Sequence, residues 1–234
     1  IRRVSQQNKS IPNILVDRFR FDSFSTQQIQ KVLHGTYAKY AHTMYMYFII
    51  TAPQDTVERG WIRGKERGRY KSVEDFLGHS VEAYQGIPKL IFKWLAHTTP
   101  QYEFTFFDNS VPKGQFPLTS ATGNQKGIQV FDPRVFINIE RYQKINIHAQ
   151  NAQQVYPNEK IMAVANNMSF FNQCLKRFPS ASFSCSHKHQ PYLIVRQKSY
   201  TISDQEELNL QREDPELEAL FEQILAPRTC INSI

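Results

Sequence analysis

The sequence predicts an α/β fold, a parallel sheet with helical crossovers over residues 1–150, followed by a C-terminal α-rich extension over residues 151–234. Short runs rich in aromatic and β-branched residues alternate with segments whose apolar residues recur at helical spacing, the order that carries parallel strands through crossover helices. Several of the helical segments are preceded by capping or proline chemistry. The apolar fraction, 41%, is ordinary for a chain of 234 residues, which is long enough to bury a core.

Residues 1–10 form a polar lead-in. Residues 13–17 are a short apolar run ending in Asp17, the pattern of a buried strand with a polar group at its C-terminal end. Ser25 and Thr26 can cap a helix reaching residue 41, with Ile29, Val32, Leu33 and Tyr37 on one face. Residues 43–51 predict a second strand, which Pro53 stops. Residues 56–65 predict a helix interrupted at Gly68. Ser72 with Asp75 makes a capping box ahead of Phe76, Val81 and Tyr84, and Pro88 allows only a kinked continuation toward Trp94. An aromatic strand over 102–107 ends in Asp108 and Asn109, and residues 110–127, rich in Pro, Gly, Ser and Thr, predict a loop. Asp132 and Pro133 then start a helix reaching Tyr142. Beyond the polar boundary at 151–157, the pattern predicts a helix over 159–176, a strand over 191–197 and an acidic amphipathic helix over 203–225. No internal repeat is visible.

Composition excludes several classes. The longest apolar run, residues 44–52, is far shorter than the roughly 20 residues a membrane-spanning helix needs. No charged, apolar and small-residue leader opens the chain, and Cys174, Cys185 and Cys230 are an odd, scattered set, so a reducing cytoplasmic location is expected. Cys185, His187 and His189 lie together but lack a fourth ligand and a second pair, so no metal site is expected. The chain opens at Ile1 without a methionine and is read as a fragment or processed product.

The net charge of +7 is uneven. Arg59, Arg63, Lys65, Arg67, Arg69 and Lys71 face only Glu58 and Glu66 within 57–71, a segment that attracts anions, whereas 204–222 is acidic against Arg212 alone and suits a basic protein partner. Arg59 and Arg63, four apart, share a helix face, and Gly68 turns Arg69 back toward it. Guanidinium forks so placed can close around a polyphosphate, which makes Arg59, Arg63, Lys65, Arg67 and Arg69 the candidate phosphate-binding set. The same run also reads as a solvated charged helix; its place beyond the C-terminal end of a strand favours a ligand. Nucleic acid is disfavoured, because the stacking aromatics in the segment are limited to Trp61 and Tyr70. His79 reads as an ordinary helix residue, or as one facing the arginine segment where its helix folds over it, and Asp108 and Asn109 divide between a strand-end turn and a functional pair.

The strand ending in Thr51, Ala52 and Pro53, then Arg59-x-x-x-Arg63, Gly68 and Arg69, a helix, and a strand ending in Asp108, Asn109 and Ser110 together resemble zeta-toxin-type P-loop kinases over residues 13–142. The resemblance implies phosphoryl transfer from ATP and magnesium to a small hydroxyl acceptor such as a nucleotide sugar. Arg59, Arg63 and Arg69 would neutralise the migrating phosphoryl group, and Asp17 would orient the acceptor or magnesium. The phosphate-cradling G-x-x-x-x-G-K-[ST] loop is not in this sequence. Its nearest approach, Gly60 to Glu66, is one residue short and offers Glu66 where a hydroxyl is needed. Two readings follow. One is a small-molecule kinase with its nucleotide loop upstream of Ile1. The other is a catalytically inactive kinase-like scaffold, without cofactor, that joins a larger bacterial assembly through its acidic C-terminal helix.

Overall fold

The computed structural model describes residues 43–68, 70–95, 101–185, 188 and 190–231. Asp17, Arg69, His187, His189, the strand expected at 13–17 and the helix expected at 25–41 lie outside the described residues.

Strand β1, Thr43–Ile50, runs where the dominance of aromatic and β-branched residues predicts it and leads directly into helix α1, Pro53–Arg67. Pro53 stops the strand and also opens the helix, because a proline in the first turn lacks only an N–H that would have no partner there. Gly68 closes α1 at φ 66°, its N–H bonded to the Gly64 carbonyl at 2.8 Å, in the left-handed conformation that favours glycine. Helix α2, Val73–Leu95, starts at the predicted cap, with Asp75 N donating to Ser72 Oγ at 3.0 Å. Strand β2, Gln101–Asp108, returns parallel to β1 in the register Ile50 to Asp108.

The sheet is mixed, which corrects the all-parallel expectation. The segment expected as a loop, 110–127, holds β3, Leu118–Asn124, antiparallel to β2, and runs into β4, Gly127–Val130, with which β3 forms a hairpin closed where Lys126 N donates to Asn124 Oδ1 at 2.9 Å. Helix α3, Arg134–Arg141, follows its predicted start. The single helix expected at 159–176 is instead α4, Glu159–Met162, a 3-10 turn at Val164–Asn166 and α5, Ser169–Arg177. Strands β5, Ala181–Phe183, β6, Leu193–Val195, and β7, Ser199–Ile202, form a second antiparallel meander. The acidic helix is two helices, α6, Gln205–Gln211, and α7, Pro215–Leu225, separated where Asp214 caps and Pro215 opens the second. Strand β8, Thr229–Cys230, pairs parallel with β7. The region after residue 151 therefore brings strands as well as helices, and they continue the same sheet.

Spatial order in the sheet equals chain order from β1 to β8. Each parallel pair, β1 with β2, β4 with β5 and β7 with β8, advances in the same direction, so right-handed crossovers put the connecting helices on one face. The burial pattern agrees. Met46, Phe48, Ile50, Phe104, Phe106, Val130 and Phe183 join Ile91, Phe136, Phe171 and Phe221 in one core that spans residue 151. On the opposite face of β1, Tyr45, Tyr47 and Ile49 are each more than half exposed. Among the described residues no helix is long and apolar enough to cross a membrane.

The acids of the C-terminal helices are held within the fold. Asp204 and Glu207 pair with Lys188, Asp214 with Arg134, Glu216 with Arg141 and Glu218 with Arg212. Glu206, Glu213 and Glu222 face outward. The buried Glu207 carboxyl is brought down to about 2 by bonds from the Cys185 thiol, Lys188 and Gln211, against an ordinary 4.5. Burial and the same carboxylate push the Cys185 thiol up to about 11. A depressed carboxyl contributes stability that is complete above its unfolded value and is lost as pH falls through the folded one. Glu207→Gln is therefore expected to destabilise the protein at neutral pH. Its deficit against the parent should shrink as pH falls from 4.5 toward 2, followed by urea denaturation across that window.

Candidate functional site

The basic segment sits where β1 leaves the sheet. Pro53, Gly60 and Gly64 are buried along one side of α1, and Gly60 lies against the Phe76 ring of α2, so glycine lets the two helices approach closely. That orientation turns Arg63, Lys65 and Arg67 into solvent. Lys65 stands 5.6 Å above the exposed Trp61 ring, which meets Tyr70 edge-on at 5.9 Å. Arg59, half-buried, turns instead to the connection after β2: its Nη2 donates to the carbonyls of Asn109 and Val111, each at 2.7 Å. Arg63 Nε donates to the Arg59 carbonyl at 3.3 Å.

Asp108 and Asn109 tie the ends of β1 and β2 together. Asp108 Oδ1 accepts from Ser110 N at 2.8 Å, Asn109 Nδ2 donates to Thr51 Oγ1 at 3.2 Å, and Ser110 Oγ accepts from Ala52 N at 2.9 Å. Lys113 and Glu66 link the following loop to α1 at 3.4 Å. Behind these ends lies a tyrosine cluster that the sequence pattern did not bring together: it placed Tyr84 on a helix face, Tyr142 at a helix end and Tyr156 in a polar boundary. Tyr84 Oη donates to Thr51 O at 2.6 Å and accepts from Thr51 N at 3.0 Å, and Tyr156 Oη donates to Gln54 at 2.8 Å. Tyr142 packs edge-on against Tyr84 at 5.0 Å. Burial raises the hydroxyl pKa of all three, so they serve as neutral bolts.

The other candidates separate from this place. His79 is exposed and bonded to the Asp75 carbonyl of its own helix. Cys185 is buried beside Glu207, and no cluster of His, Cys, Asp and Glu suited to a metal occurs among the described residues. Of two concavities elsewhere, one of about 340 Å³ lies at the opposite end of β2, lined by Glu103, Asn124, Lys126 and Gln129, and one of about 1030 Å³ lies beside Tyr200, Arg212 and Arg228. Comparison with protein-family models, curated proteins and solved structures returned no match for this chain.

A helix with three solvent-facing cations, rigidly bolted at its N-terminal end to two parallel strand ends, can do one chemical thing well. It can hold positive charge in a fixed place on a helix that starts at the strand ends.

Proposed function

We propose that this chain supplies the phosphate-charging half of a phosphotransferase that moves a phosphoryl group from ATP to a small hydroxyl acceptor such as a nucleotide sugar. The observation that carries the reading is the position of α1: the basic helix begins at Pro53, immediately beyond the C-terminal end of β1 and next to the end of the parallel strand β2. Phosphoryl transfer asks the protein mainly for positioning and charge neutralisation, and Arg63 with Arg67 on a fixed helix can provide both. Magnesium and the nucleotide would be held chiefly by a phosphate loop outside this sequence. The paired acids of α6 and α7 leave fewer charges for docking, which weighs against a scaffold acting through that end.

The direct test on this chain is calorimetric titration with inorganic pyrophosphate at low salt. The parent is expected to bind, and Arg63→Ala to weaken binding roughly 10- to 100-fold, the size of a lost charge-assisted contact, with an unchanged melting temperature. Equal affinities in parent and variant would remove α1 as the phosphate seat. Consumption of ATP with nucleotide-sugar acceptors by a protein that joins this chain to such a phosphate loop, abolished by the same substitution, would establish the transfer.

A further inference from the structure

Arg59 differs from the other cations of α1 in where it points and in what it touches. Successive positions four apart on an α-helix turn by about 40°, so Arg63 and Arg67 swing progressively away from the direction Arg59 takes. Arg59 faces the connection after β2 and is half-buried there, while Arg63 and Arg67 are exposed. Both carbonyls it meets, Asn109 O and Val111 O, flank Ser110, whose hydroxyl accepts the N–H of Ala52 one residue before α1. The guanidinium thus closes a ring of contacts running from the helix, through the strand-end loop, and back to the start of the same helix. Drawing it away to meet an anion would leave two partly buried carbonyls without their charged donor, a cost comparable with what one phosphate contact returns.

We infer that Arg59 is a positioning residue: it holds loop residues 109–111 against α1, and thereby sets the direction of Arg63 and Arg67, without itself being the anion ligand. The inference rests on the anion-binding reading of α1, and it assigns the residues of that helix separate tasks.

The test reads amide hydrogen exchange at Ala52, Asn109 and Ser110 in the parent, Arg59→Ala and Arg63→Ala, with and without saturating inorganic pyrophosphate. Arg59→Ala is expected to speed exchange at these amides about tenfold or more in the absence of any anion, as loss of one charge-assisted contact predicts, whereas Arg63→Ala leaves them unchanged. In the parent, pyrophosphate should leave the three amides as protected as before, because Arg59 stays on its carbonyls. Faster exchange in the parent on adding pyrophosphate would mean that Arg59 leaves the loop for the anion, and would overturn the inference. So would an Arg59→Ala variant that exchanges like the parent yet binds pyrophosphate as poorly as Arg63→Ala. If pyrophosphate binds nothing, the anion reading falls by itself, and unaltered anion-free exchange in Arg59→Ala would remove the clamp as well.

Discussion

Phe136→Ala is expected to cost about 3–5 kcal/mol of folding stability, the range for truncating a fully enclosed aromatic side chain. Phe136 sits on α3 with 0% exposure and stacks on Phe171 of α5 at 4.4 Å with the rings 5° apart. It also meets Phe106 of β2 edge-on at 5.5 Å and Phe170 at 5.8 Å. The ring therefore joins the sheet to two helices on either side of residue 151, and deleting it leaves a void that three separate elements must close. Urea denaturation should show a lower midpoint with one cooperative transition, since both regions share the core. Two separated transitions, with only one displaced, would mean that the regions before and after residue 151 are independent units. A loss below about 1 kcal/mol would mean that the ring's packing contributes far less than its burial predicts.

How much of this architecture could be read beforehand follows from which signals are local. Strands β1 and β2 were legible because aromatic and β-branched residues dominate them, and α2 and α3 because Ser72 and Pro133 mark their starts, whereas Pro53 was read only as the stop to β1 and α1 was expected to begin at residue 56. The β3 and β4 hairpin was not, since Leu118 to Asn124 is mostly Thr, Ser, Ala and Gly, residues that suit loops unless a neighbouring strand accepts them. Reading it as loop removed the antiparallel members and left a sheet that looked wholly parallel. The break between α6 and α7 carried a usable signal, Asp214 followed by Pro215, which the helical recurrence of leucines across it concealed. The break after α4 had a subtler cause. Asn167, fully buried, donates to the carbonyls of Ile161 and Ala163 and accepts from Lys144, a tertiary network that overrides helical continuity.

At the candidate site, the shared face of Arg59 and Arg63 was legible from spacing, but their different partners were not. The carbonyls that Arg59 meets lie fifty or so positions away in sequence, and a backbone acceptor leaves no trace in residue type. The same blindness applied to the acidic C-terminal run. Its counter-charges, Arg134, Arg141 and Lys188, come from segments with no charge pattern of their own, so the sequence showed the acids of this run but not the ion pairs that offset part of them.

Gly60→Leu is expected to cost about 3 kcal/mol and to weaken pyrophosphate binding along with it, because overpacking a close helix contact displaces the helix that carries Arg63. A Cβ at Gly60 would lie 2.3 Å from Phe76 Cζ and 2.7 Å from both neighbouring ring atoms, closer than any real contact. Either α1 moves outward from α2 or the Phe76 ring swings into water. The first breaks the alignment with Asn109 and Val111, and the second exposes a large apolar side chain worth about 2 kcal/mol. A better helix former than glycine returns about 1 kcal/mol at most, so the sign is set by the clash. The decisive measurement is the double variant Gly60→Leu with Phe76→Ala, in which the new side chain occupies the space the ring leaves. Its stability should exceed the sum of the single effects by more than about 1 kcal/mol, the mark of two residues sharing one space. Additive losses would show that the Phe76 contact does not set the spacing between α1 and α2, and that the basic helix is held instead by its strand-end bonds alone.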